Sequence, residues 1–188
     1  MGLNARVGRH GLFGGLRCQG AWRLLCLAAV CWLMTGAAFA RSPPALTEVE
    51  GVIVRVVDGD TLRFQPSRHG APELAVRLIG VDAPESCQPW GRQALQALRR
   101  AVEGRAGTLR LQGVDVYRRT LAVLWVEGRD INRWLVEAGH AWAWRDRPGV
   151  GLYLDAEPGA IAGQRGLHAS GDAQPPWTFR SEHGRCRR

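Results

Sequence analysis

The sequence predicts an α+β fold that is mainly β: a small five-stranded antiparallel barrel with about three helices packed at one end. Three observations carry that expectation. Stretches rich in β-branched residues come as three before the first helical pattern and two after it, Asp58-Gly59 is a tight-turn signal between the first two, and the later helical patterns do not alternate with strands. The last point excludes a parallel sheet of βαβ units. A hydrophobic share of 46% with 22% charged residues excludes a disordered chain.

In chain order, Val49 to Val57 is the first strand and Thr61-Leu62-Arg63-Phe64 the second, followed by a hairpin loop from Pro66 to Pro72. Leu74, Val76 and Leu78 alternate against Ala75, Arg77 and Ile79, so the third strand presents Arg77 on the face opposite Leu78. Trp90, Ala94, Leu95, Leu98, Ala101 and Val102 recur at helical spacing, and Gly104 and Gly107 end that helix. Thr108 to Gln112 and Thr120 to Val126 are the last two strands. Ile131, Trp134, Leu135 and Ala138 mark a second helix, with Asp130 as N-cap and Gly139 as its stop. A third covers roughly Tyr153 to Arg165, interrupted by Pro158-Gly159. From Ser170 the chain is rich in Gly, Pro and Arg and reads as a disordered basic tail, 170–188, which leaves 49–169 as the folded domain.

Residues 1–40 read as a signal peptide. A basic stretch ends at Arg23, an apolar run extends from Leu24 to Met34, and Ala38-Phe39-Ala40 fits the small-x-small cleavage rule. Cleavage there begins the mature chain at Arg41, with 41–48 as a linker; the alternative, an uncleaved anchor, wants an apolar run of about 20 residues. The expected location is the periplasm or the medium, with a monomer that has no stable membrane association. Cleavage removes Cys18, Cys26 and Cys31. The two cysteines left, Cys87 and Cys186, suggest a disulfide in an exported protein, the alternative being a free or intermolecular thiol in the tail. The net charge is +8 and the chain contains no lysine; four arginines lie in the leader, so the rest carries an excess of +4. Such a balance suits an anionic partner such as nucleic acid.

Asp60 and Asp82 each follow a turn, where side chains of neighbouring strands converge, and carboxylates with backbone carbonyls are the ligands a hard divalent cation takes. Two protein carboxylates leave positions open for substrate. Glu85, three residues beyond Asp82, is placed to take a proton from water. Arg77 and Arg119 suit the negative charge that gathers on a phosphodiester under attack, although an arginine on a strand is ordinarily just solvated. Tyr117, Trp142 and Trp144 are candidates for contact with a base or sugar, set against the ordinary reading of tryptophan as core. The five histidines show no metal-ligand spacing, and no motif supports a Ser/His/Asp or Cys/His nucleophile.

Val57-Asp58-Gly59-Asp60-Thr61, Arg77-Leu78-Ile79-Gly80-Val81-Asp82-Ala83-Pro84-Glu85 and Asp115-Val116-Tyr117-Arg118-Arg119-Thr120-Leu121-Ala122 together resemble the three motif blocks of the staphylococcal nuclease (thermonuclease) family. The blocks stand in order and at similar separations, and the likeness covers Val49 to Leu167. The resemblance implies an OB-fold barrel and a Ca²⁺-dependent endonuclease that cleaves DNA and RNA with an activated water, leaving a 3′-phosphate. It assigns Asp60, Asp82 and the Ala83 carbonyl to the metal, Glu85 to the water, Arg77 and Arg119 to the phosphate, and Tyr117 to the nucleotide. Arg118 stands where the family usually has glycine, which leaves open whether Arg118 or Arg119 reaches the phosphate. Gly166-Leu167-His168 replaces the more usual Gly-Leu-Trp. The alternative function is a non-catalytic OB-type module that binds nucleic acid through stacking and a basic surface. Such a module gains nothing from two carboxylates facing a polyanion without a cation between them.

Overall fold

The computed structural model describes residues 47–184 and residue 186; the signal-peptide reading of 1–40 and the linker up to residue 46 lie outside the described residues. Strands β1 (Glu48–Asp58), β2 (Thr61–Pro66) and β3 (Leu74–Leu78) form an antiparallel meander. After the two-residue β4 (Val81–Asp82) and helix α1 (Gly91–Val102), β5 (Ala106–Val114) returns beside β1, and β6 (Thr120–Val126) pairs with β5 and closes on β3. The closing seam between β3 and β6 is parallel. Five strands that alternate in direction cannot form a ring with every seam antiparallel, so strand parity imposes the exception. A short β7 (Arg129–Asp130) extends the β6 edge. The result is the mainly β, five-stranded barrel the sequence predicts.

Ile53, Leu62, Phe64, Leu78, Leu109 and Leu124 are fully buried inside it. Ala94, Leu98 and Val102, one face of α1 at i, i+4 and i+8, are buried, and Leu98 and Val102 pack over the same core. Burying each large apolar side chain contributes about 1.5–3 kcal/mol, which makes the barrel a firm platform for the polar groups at its rim.

The first turn departs from expectation by one residue. Asp58 pairs with Thr61, so Gly59 and Asp60 are the turn residues, and the Asp58 carboxylate closes the turn by accepting the Asp60 N–H at 3.2 Å. Gly59 is required for space: a Cβ there would lie 2.5 Å from the Ala83 Cβ and 3.2 Å from that of Ala94. This close approach brings Asp60 against the segment that follows β4.

Helix α2 (Ile131–Glu137) begins at the predicted cap, the Asp130 carboxylate accepting the Arg133 N–H at 2.9 Å, and stops at Gly139, where φ is +69°. Its fully buried Asn132 accepts the Leu124 N–H at 3.1 Å and donates to the Ile79 carbonyl at 2.9 Å and the Ala122 carbonyl at 3.1 Å. One side chain thereby ties α2 to β6 and to the turn that delivers Asp82. Asn132→Ala removes three hydrogen bonds to backbone groups, of which the Ala122 carbonyl keeps a second partner, the Ile79 N–H at 3.1 Å, and is expected to lose about 2–3 kcal/mol in urea denaturation. A loss under about 1 kcal/mol would contradict that role.

Strand β8 (Trp142–Ala143) pairs with β4, placing Trp142 opposite Asp82. The buried carboxylate of Glu157, at the start of α3 (Glu157–Ala162), fixes β8 by accepting the Ala143 N–H at 2.9 Å and pairing with Arg145. Pro158 lies in the first turn of α3, where its missing N–H is harmless, so it opens a shorter helix than the 153–165 expected.

The expectation of a disordered tail is corrected among the described residues. After a 3₁₀ turn at Gly166–Ser170, Pro176–His183 forms a fourth helix, α4. Long-range contacts order it. Cys87 and Cys186 form a disulfide, Gln88 donates to the Gln174 carbonyl at 2.6 Å, and Trp177 meets Trp142 and Trp144 edge-on at centroid distances of 6.1 and 6.3 Å.

Candidate active site

The β1–β2 turn, the end of β3, the segment after β4, the loop before β6 and α4 surround one cleft of about 1020 Å³. On its floor Asp60 and Asp82 are buried, at 4% and 1% exposure. Arg77 bridges them, pairing with Asp60 and, at 3.1 Å, with Asp82; it also donates to the Val81 carbonyl at 3.2 Å. The other Asp60 oxygen accepts the Ala83 N–H at 2.9 Å, which holds Ala83 against the same carboxylate. Burial pushes the Arg77 pKa down, while Asp82 and Asp58 pull it back. A guanidinium stays charged even so, and the two carboxylates supply the reason it is there.

Glu85 stands at the cleft mouth. Its loop is closed by Gln88, whose Oε1 accepts the Glu85 N–H at 3.1 Å while the Gln88 N–H donates to the Glu85 carbonyl at 2.9 Å. Gly91 permits the closure, since a Cβ there would lie 1.9 Å from the Glu85 carbonyl oxygen. Gln88, 6% exposed, is a positioning residue that sequence reasoning missed, because a glutamine in a loop carries no distinctive signal.

Across the cleft Arg119 donates to Asp115 at 2.8 Å. The same carboxylate accepts the N–H groups of Tyr117 and Arg119, each at 2.9 Å. Burial would raise the Asp115 pKa, but the hydrogen bonds and charge of Arg119 outweigh it and hold the carboxyl below its usual range. Arg118 is exposed, sits at φ +62° and does not line the cleft, so Arg119 is the arginine that faces it. Glycine suits Arg118's left-handed conformation better than any L side chain. Arg118→Gly is therefore expected to stabilise the fold by up to about 1 kcal/mol in thermal unfolding, and a clear destabilisation would refute the strain.

The aromatic candidates separate. Trp144 lines the cleft, 38% exposed, with its indole N–H on Asp146 at 3.1 Å. Trp142 does not line it; its ring packs edge-on against His168 at 4.7 Å and against Trp177, as part of the structure under α4. Tyr117 is 61% exposed on the loop outside the cleft, with its ring 5.4 Å from the Arg119 guanidinium carbon.

The residue that sequence reasoning did not bring to the site is Arg180, from α4. Its guanidinium grips both oxygens of Asp82, at 2.7 and 3.1 Å, and reaches Glu85 at 3.1 Å. The hydrogen bonds to Asp82 raise its pKa above the ordinary arginine value.

Among the described residues no group of three or more His, Cys, Asp or Glu side chains is arranged to hold a metal. The donor chemistry nevertheless fits a hard cation. Two buried carboxylates beside a backbone segment offer oxygen alone, and their charge is balanced by guanidinium groups, one of them from an appended helix. Water and phosphate oxygens complete such a set for Ca²⁺ or Mg²⁺, whereas zinc wants nitrogen or sulfur.

Residues 75–167 match the family described as "Staphylococcal nuclease homologue". The chain is 31% identical over 139 residues to an "Uncharacterized endonuclease" of Escherichia coli O157:H7, covering 73% of this chain and 89% of that one. It is 33% identical over 150 residues to a "Micrococcal nuclease" of Shigella flexneri, covering 74% and 84%. A "Probable staphylococcal-like nuclease CAN1" of Oryza sativa subsp. japonica is 29% identical over 150 residues, covering 76% of this chain and 44% of that one. The family match contains Arg77, Asp82, Ala83, Glu85 and Arg119 and ends before α4.

Proposed function

Because the chain belongs to the staphylococcal nuclease family and is a nuclease, we propose that it is an exported, monomeric, Ca²⁺-dependent endonuclease that hydrolyses phosphodiester bonds of DNA and RNA. The observation that carries this reading is the convergence of Asp60, Asp82, Arg77, Glu85 and Arg119 on one cleft. A purely binding module has no use for Glu85 at the mouth or for buried carboxylates on the floor.

Arg77 and Arg119 bind the non-bridging oxygens and neutralise the charge that grows as phosphorus is attacked. Glu85 takes a proton from the attacking water. The new P–O bond forms, the bond to the 5′-oxygen breaks, that oxygen takes a proton from solvent, and the phosphate stays on the 3′ side. Asp60, Asp82 and the Ala83 carbonyl would hold Ca²⁺, which when bound supplies Lewis-acid polarisation of the phosphoryl group. Trp144 is placed to contact a base or sugar of the strand in the cleft. Support for export comes from the leader pattern and from a disulfide between Cys87 and Cys186, a bond that persists in oxidising compartments. Among the described residues no helix is long and apolar enough to cross a membrane.

The test is digestion of closed-circular DNA and of RNA by residues 41–188 with Ca²⁺, Mg²⁺ or Mn²⁺ and with EDTA. Internal nicking with Ca²⁺ and 3′-phosphate ends are expected; cleavage that survives EDTA would sink the metal-dependent reading.

A further inference from the structure

We propose that α4 is a disulfide-tethered occupant of the nuclease centre: Arg180 stands on Asp82 and Glu85 where a divalent cation and the reacting water belong, and cation binding expels it. This rests on the cation-dependent reading above.

Asp82 has no oxygen left over. Its Oδ1 accepts from Arg77 and from Arg180, both at 3.1 Å, and its Oδ2 accepts from Arg180 at 2.7 Å. A divalent cation that takes either oxygen meets the Arg180 guanidinium there, and repulsion between the two positive charges removes Arg180 from at least one of them. A water poised at the Glu85 oxygen that Arg180 engages must displace the same guanidinium, which donates there at 3.1 Å. Arg77 is not removable in this way, since it belongs to β3 and is also held by Asp60 and the Val81 carbonyl.

The surroundings make Arg180 a local and displaceable competitor. Cys87 lies two residues beyond Glu85, so its bond to Cys186 ties the end of α4 to the rim of the cleft. Gln88 holds the approach to α4 at Gln174. A short tether of this kind gives the guanidinium an effective concentration in the millimolar range at Asp82. Yet within α4 only Pro176 is buried, so little apolar packing resists its departure. Trp177, set against Trp142 and Trp144, moves with it and reports on it.

The experiment titrates Ca²⁺, and separately Mg²⁺ and Mn²⁺, into three metal-free samples: the oxidised protein, its Arg180→Gln variant, and wild type treated with a dithiol. The dithiol is oxidised to its own disulfide as Cys87 and Cys186 become two thiols. Binding heat and tryptophan emission are read together. Arg180→Gln is expected to bind the cation about ten- to a hundredfold more tightly than oxidised wild type, with reduction shifting wild type the same way. Tryptophan emission of wild type should change with the same midpoint as the heat. Equal or weaker affinity in a folded Arg180→Gln, or emission that ignores the cation, overturns the proposal. If that variant does not fold, the reduced sample decides, and unchanged affinity on reduction overturns it. No cation binding by any sample overturns the metal reading and this inference together, whereas binding of equal strength by all three overturns the inference alone.

Discussion

Glu85→Gln is expected to lower kcat by about two to three orders of magnitude, and Arg119→Ala by a similar factor, on a DNA substrate at saturating Ca²⁺. Glutamine keeps the size of the side chain and removes the basic oxygen. The loop around it depends on main-chain contacts with Gln88, which the substitution leaves in place, so the fold should be unchanged. KM should therefore move little in Glu85→Gln. If Arg119 contacts the phosphate before and during attack, as proposed, Arg119→Ala should raise KM as well as lower kcat. The double variant should lose less than the product of the two, because both groups serve one transition state. Steady-state rates on a short labelled strand separate kcat from KM. A kcat within about fivefold of wild type in Glu85→Gln would show that another group takes the proton.

Much of this site was legible because its residues sit beside local signals. The alternation of Leu74, Val76 and Leu78 placed Arg77 opposite the core, and Asp130 announced its helix through the capping pattern. Arg118 stands where the family usually has glycine, and the structure gives it a φ of +62°, a conformation glycine takes more readily. The illegible parts depend on partners far away in the chain. Asn132 earns its role only once β3, β6 and α2 meet, and nothing in the neighbouring residues marks it. The composition of 170–188 reads as disorder even though the suggested Cys87–Cys186 disulfide does form, because composition does not register the order that this bridge and the packing of Trp177 on β8 impose. Arg180 was invisible for the same reason. The two tryptophans at 142 and 144 also illustrate the limit: β8 ends at Ala143, so strand alternation does not apply, and Trp142 packs on His168 while Trp144 faces the cleft. Burial lowers the His168 pKa, so this ring serves as an aromatic neighbour instead of a cation.

Arg77→Met should act on folding as strongly as on chemistry. In EDTA it is expected to lose about 3 kcal/mol of stability, near the lower end of what removing one partner from a buried ion pair takes away. The lower end applies because the two carboxylates fare differently. Asp82 keeps the Arg180 guanidinium, whereas Asp60 is left with the Ala83 N–H and, at 3.2 Å, the Thr61 hydroxyl, neither of which carries charge. A divalent cation held at Asp60, as proposed, would restore the missing charge and, with Arg77 no longer opposing it there, bind the folded variant more tightly than folded wild type, so added Ca²⁺ should narrow the gap between them as its concentration rises. Urea unfolding in EDTA and at a series of Ca²⁺ concentrations measures both quantities. A loss below about 1 kcal/mol in EDTA would show that Asp60 finds its charge balance elsewhere. A gap that Ca²⁺ leaves untouched would remove the cation from Asp60 and leave Arg77 as a structural bridge alone.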